Sequence, residues 1–270
     1  DPIFIFVLDM GTGGAAIATV ISQVVSFLIL LSVCGKGGNI KIRFKDFYPK
    51  WAIYKEVLRT GLPSFYRQGL LSLAMMTLNL MSRPYGDAVI AAMSVVGRSM
   101  GFAFSALIGL GQGFQPVCGF NYGAKRYDRV LEAFWFCMKI AFAGLIIASA
   151  AGIIFAPQII SIFRKDDPEV IAIGARVLRL HCIPFSLSAW VVMNNMLMQN
   201  IGKTKEASIL SFARQGLFYL PLILILPKFI GIWGIQLSQP IADILTFCLS
   251  LPMGIKVINE LKSLSRSSCY

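Results

Sequence analysis

Charge is scarce in this chain, and acid is scarcer still. Only 14% of its 270 residues are charged, with 25 Lys and Arg against 13 Asp and Glu, while 56% are hydrophobic and mean hydropathy is +0.71. A soluble globular domain carries about 25% charged residues, so that class is excluded and the solvent is a bilayer. His181 is the sole histidine and reads as structural rather than as a metal ligand. The six cysteines form no CxxC pair, which predicts reduced thiols and no metal site. No catalytic constellation is visible, so neither an enzyme nor a cofactor is expected. The run GLGQG from Gly109 has no strand before it and meets Pro116 within an apolar stretch, so it is not a phosphate-binding loop. Its glycines instead suit close approach of helices.

What the chain has in abundance is long apolar stretches. Spans of bilayer length, near 20 residues, fall at about 11 to 33, 61 to 81, 88 to 116, 133 to 156, 170 to 199, 207 to 227 and 230 to 255. That pattern predicts an all-α polytopic membrane protein, since a membrane β-barrel needs many short alternating segments. No cleavable signal peptide and no initiator Met precede Asp1, which fits a truncated chain.

The first and last spans share a pattern. GTGGAAIATVISQVVSFLIL from Gly11 and GIWGIQLSQPIADILTFCLS from Gly231 match at Gly11 and Gly231, Gly14 and Gly234, Ile21 and Ile241, and Phe27 and Phe247. Duplicated helix bundles are a common architecture of secondary transporters, with the substrate site between the repeats. On this reading residues 1–34 end an N-terminal lobe, 35–58 form an interlobe linker, 59–257 make a complete six-helix C-terminal lobe, and 258–270 are a loose tail. The rest of repeat one, about 170 residues with five spans, is expected upstream. In the linker, KWAIYKEVLR from Lys50 puts Trp51, Tyr54 and Leu58 on one helical face, which suits a segment lying on the membrane surface.

Basic residues set the orientation. Fifteen of them, from Lys36 to Arg266, fall in alternate loops and in the tail, against six on the other side even when Arg176 and Arg179 are counted there. The richer side is cytoplasmic by the positive-inside rule, which places the C-terminus inside a multi-pass protein of the cell membrane. The net charge of +12 is then explained by anionic membrane lipids as partners, and no nucleic acid is implied.

Polar residues within spans cost free energy in lipid and face protein or a watery cavity. Gln68, Ser72, Met75 and Asn79 recur at helical spacing in the second span, and Ser94, Arg98, Gly101, Ser105 and Gln112 in the third. Ser188, Asn195 and Gln199 do so in the fifth, Ser208, Ser211, Gln215 and Tyr219 in the sixth, and Gln236, Gln239, Asp243, Thr246 and Ser250 in the last. Five converging stripes read either as a shared hydrated cavity or as tight polar packing between helices, with the cavity favoured. Asp243 is the only acid well inside a span, so it is either salt-bridged to Arg98 or Arg67, or a carboxylate that takes up a proton or cation. Met193, Met196 and Met198, with Phe65 and Tyr219, form either an adaptable apolar wall or ordinary packing.

DPIFIF from Asp1, AAIATVISQ from Ala15, GLPSF from Gly61, GLGQGFQPVCGFNYGAKRYDRV from Gly109 and NNMLMQNIGKTKEA from Asn194 together resemble the multidrug and toxic compound extrusion (MATE) transporters, in particular their MepA-like branch. The resemblance implies twelve helices in two lobes, of which this chain holds helices six to twelve, and export of small organic cations or drugs in exchange for protons or sodium. It implies that Asp1 is the fifth-helix aspartate of the N-terminal cation site. The seventh-helix glutamate of the sodium-coupled branch has no counterpart, because residues 61 to 81 contain no acid. The cation-coupling candidates are therefore Asp1 and Asp243, and the cavity candidates are Gln68, Asn79, Arg98, Gln112, Asn195, Gln199, Gln215, Tyr219 and Gln239. A lipid-linked precursor flippase of the same superfold, with a strongly cationic cavity, and a seven-helix receptor are the rival readings.

Overall fold

A computed structural model describes residues 11–36, 50–163 and 167–267, and every regular element among them is helical. The chain divides into two units between Lys55 and Glu56. The first contains α1, Gly11–Lys36. Asp1 and the greater part of the linker lie outside the described residues.

The second unit is a helical bundle. The helix that enters it, α2, runs without interruption from Trp51, before the division, to Ser82, so WAIYKEVLR forms the opening turns of a long helix rather than a separate surface segment. A 3₁₀ turn at Arg83–Tyr85 and Gly86, at φ 97°, reverse the chain into α3, Asp87–Gly123. Then follow α4, Tyr127–Ile154, and the short α5, Ala156–Phe163. Asp167 starts α6, Pro168–Phe185, as an N-cap: its carboxylate accepts from the Val170 amide at 3.2 Å, with Pro168 in the first turn. A 51° bend separates α6 from α7, Ser188–Asn200. Pro184 sits just before that bend and removes a backbone donor from it, so the stretch 170 to 199 is a broken helix and not one straight span.

Next comes α8, Thr204–Phe212, then a π-helical segment at Ala213–Tyr219, then α9, Leu220–Ile230. The last helix, α10, covers Ile232–Ser267. The turn between α9 and α10 needs two glycines. Gly231 has φ 58°, a conformation that penalises any Cβ. At Gly234 an added Cβ would lie 2.4 Å from the Leu226 carbonyl carbon and 2.5 Å from the Pro227 nitrogen, so the two helices touch backbone to backbone there. The expected loose tail is corrected as far as Ser267: Val257, Ile258 and Leu261 make an apolar stripe that is buried against the bundle and keeps α10 helical.

Four helices among the described residues, α3, α4, α8 to α9 taken together and α10, are long and apolar enough to cross a membrane, and the bent α6–α7 pair makes a fifth. The other two expected spans form helices of 26 and 32 residues. Arg67, Gln68, Ser72 and Asn79 dilute the apolar character of α2.

Two apolar cores hold the bundle. One packs Phe114, Phe134, Met193, Met196 and Leu197 between α3, α4 and α7, and is closed by Leu261 of α10. The other packs Val96, Ile160, Leu178, Ile223 and Ile235. Met100 of α3 touches both.

Candidate functional site

Where the two cores meet, a cavity of about 300 Å³ opens between α2, α3, α6, the π-helical segment and α10. Its walls are apolar and partly polarisable: Met75, Met93, Met100, Phe104 and Phe185. Its polar groups are His181, Arg214, Gln215, Tyr219, Gln239 and Asp243.

The polar side is built around one carboxylate. Asp243 Oδ1 accepts from Arg214 Nε at 2.8 Å and from Gln239 Nε2, one helical turn away, at 3.0 Å. The Asp243 side chain is 8% exposed and that of Arg214 19%. The Arg214 guanidinium also lies over the Phe104 ring, 4.5 Å from its centroid, a cation–π contact that helps a partly desolvated cation. The pair is neutral as a whole. Two further cavity atoms, His181 Nε2 and Gln215 Oε1, are buried and have no hydrogen-bond partner among the described residues.

The π-helical segment explains why Arg214 and Tyr219 share this wall. In an α-helix, residues five apart point about 140° from each other. The i→i+5 repeat of a π-helix brings them to one side, and Gln215 lies between them. Such segments recur at functional sites.

The structure distributes the sequence candidates unevenly. Gln215, Tyr219, Gln239 and Asp243 line the cavity. Asn195 lines an adjoining recess of about 70 Å³ together with Arg67 and Arg214. There its Nδ2 donates to the Ala207 carbonyl at 2.7 Å and to Ser211 Oγ at 3.0 Å, while its Oδ1 accepts from Gln199 Nε2 at 2.6 Å. Gln68, Asn79 and Gln112 are exposed and outside the cavity. Arg98 is exposed too and lines a different groove beside Phe102 and Cys182. The expected partners of Asp243 are thus corrected: Arg214 holds it, not Arg98 or Arg67. Met193, Met196 and Met198 are fully buried in the first core; they are packing residues, and the cavity methionines come from α2 and α3 instead.

A bundle of membrane-length helices, with a broken helix and a largely apolar cavity that carries a few polar groups, defines a polytopic membrane protein. The MatE family model matches residues 63–225, and the chain belongs to that family. The multidrug export protein MepA of Staphylococcus haemolyticus is 24% identical over 94% of this chain and 56% of its own length. MepA of Staphylococcus aureus strain MSSA476 is 24% identical over 90% of this chain and 53% of its own. Among solved structures, a MATE protein in complex with MaL6 matches with TM-score 0.87 and 26% identity, over 97% of this chain and 60% of that one. A MOP superfamily transporter from Pyrococcus furiosus, described as having a binding pocket of reverse polarity, matches with TM-score 0.85 and 27% identity, over 97% of this chain and 59% of that one. The chain therefore spans little more than half the length of the relatives it matches.

Proposed function

We propose that the chain is the C-terminal part of a cation-coupled multidrug exporter of the cell membrane, with its C-terminus cytoplasmic, working by alternating access against an N-terminal lobe. The observation that carries this reading is the neutral Arg214–Asp243 pair on the wall of an otherwise apolar cavity. An amphiphilic organic cation places its apolar body against Phe104, Phe185 and the methionines, and its charge beside Asp243. Protonation of Asp243, or capture of its carboxylate by another cation, releases Arg214 as an unpaired positive charge within the cavity. The same event that loads the coupling ion then repels the cationic substrate. A ligand shifts a conformational equilibrium only through such a difference in affinity between states. Asp1 remains the second coupling candidate, on the N-terminal side.

The flippase reading calls for a cationic cavity able to hold a pyrophosphate. Here Asp243 neutralises Arg214, and Arg98 lines another groove. Lys139 is exposed on α4. Membership of MatE takes the place of the receptor reading.

The test is efflux of an ethidium-like cation by the full-length protein, with proton and sodium gradients imposed separately. Efflux is expected to follow one of the two gradients and to lose that dependence in Asp243→Asn. Gradient-independent efflux by the unmodified protein defeats the reading.

A further inference from the structure

Two arginines of α6 stand apart from the central cavity. Arg176 and Arg179 lie on the side poor in basic residues, so the positive-inside rule does not explain them, and neither lines the central cavity. They share one face of α6 with Leu180 and Ile183, at the i, i+3, i+4, i+7 spacing of a helical stripe. With Pro157 and Trp233, this face lines a groove of about 460 Å³ between α5, α6 and the start of α10.

Polarity in the groove is graded along α6. At the end nearer the start of the helix, the Arg176 guanidinium lies over the Trp233 indole, 5.4 Å from the ring centroid. Trp233 is in the first turn of α10 and 45% exposed; a tryptophan at a helix end marks the level of the lipid headgroups. Arg179 Nε donates to the Ile153 carbonyl at 3.2 Å, one of the free carbonyls that end α4. Among the described residues, none of the three ion pairs involves either arginine. About 10 Å along α6 from Arg176 and about 6 Å from Arg179, at 1.5 Å per residue, Ile183 is apolar and 67% exposed. One end of the groove therefore offers paired cationic donors at headgroup depth. The other offers apolar surface at acyl-chain depth.

We infer that this groove is a binding site for an anionic glycerophospholipid of the leaflet opposite the cytoplasmic one, with its phosphate on Arg176 and Arg179 and an acyl chain along Leu180 and Ile183. Guanidinium suits a phosphate because its planar fork donates two parallel hydrogen bonds to the oxyanion. A free phosphate makes no use of the apolar end. The inference is independent of what the central cavity carries, because neither arginine lines that cavity.

The experiment is native mass spectrometry of the detergent-purified full-length protein, titrated with phosphatidylglycerol, with phosphatidylcholine of matched chains, or with inorganic phosphate. The unmodified protein is expected to retain one phosphatidylglycerol preferentially. Arg176→Gln/Arg179→Gln is expected to lose that adduct, whereas Lys203→Gln, which removes a charge elsewhere, keeps it. Equal retention by the double variant overturns the proposal. So does equal retention of phosphatidylcholine, or displacement of the lipid by inorganic phosphate. Should the double variant unfold through loss of the α4 cap, Arg176→Gln alone decides the matter, because Arg176 contacts Trp233 and caps nothing.

Discussion

Arg214 and Asp243 are joined by one short bond from Nε to Oδ1, between a π-helical segment and the last helix, on the wall of the central cavity. Each makes the other tolerable there. Removing one partner of a buried pair leaves an uncompensated charge and costs about 3–5 kcal/mol, whereas replacing both by neutral groups costs far less. Asp243→Asn and Arg214→Gln are each expected to lower thermal stability, and the double variant is expected to recover most of the loss. Additive losses in this double-mutant cycle would show that the two side chains are not energetically coupled.

The turn from α9 into α10 gives a prediction on stability alone. The groups facing Gly234 are backbone atoms of Leu226 and Pro227, which have no rotamer to retreat into. Gly234→Ala forces the helices apart, and overpacking of this kind costs about 1–3 kcal/mol. Gly109→Ala and Gly113→Ala, where an added Cβ meets nothing within 4 Å, are expected to leave the unfolding temperature unchanged. If all three behave alike in a thermal-shift comparison, the close crossing is not real.

How far the molecule was legible from its residues depends on the feature. The apolar stretches gave α3, α4 and α10, because hydropathy reports directly on bilayer burial. Helix ends ran past those windows at Gly123 and Ser267, since a helix continues through the interface wherever a stripe such as Val257, Ile258 and Leu261 packs. The start of α2 at Trp51 was hidden by Lys55, Glu56 and Arg59, which do not prevent a helix but read as a linker. In the site, Asp243, Gln239, Gln215 and Tyr219 were visible as stripes at α-helical spacing. Arg214 was not recognisable as the partner of Asp243, because the π-helical repeat that turns it inward has no signature in hydrophobic periodicity. His181 is a lone histidine in the sequence; its place in the same cavity as the carboxylate depends on how α6 packs against α10, which is tertiary information.

Asn195 separates structure from transport. Its amide ties α7 to α8 through the Ala207 carbonyl and Ser211, and orders Gln199 through its oxygen. Asn195→Leu leaves the carbonyl and the Gln199 amide with lost partners, at about 1–3 kcal/mol for a buried unsatisfied group. Protein yield and melting temperature are expected to fall, while efflux per folded molecule stays within a factor of about two. A selective loss of transport with unchanged stability would instead place Asn195 in the substrate path.

Gly101 tests whether the central cavity is where substrate sits. It lines the cavity, and an added Cβ there would meet nothing within 4 Å, so the first carbon of a larger side chain displaces no neighbour. Cavity filling without strain does not destabilise, because no packed atom has to move and apolar surface gains contacts. Gly101→Phe is therefore expected to fold with an unchanged or slightly raised melting temperature. It also puts an aromatic ring into a space of about 300 Å³, which competes directly with a drug-sized cation for the surface beside Phe104 and Asp243. Efflux is expected to fall most for the bulkiest cations and least for the smallest, and Gly101→Ala is expected to leave both nearly unchanged. A stable Gly101→Phe protein that exports large cations at the original rate would move the substrate site out of this cavity, onto the exposed face of α2 and α3 where Gln68, Asn79 and Gln112 lie.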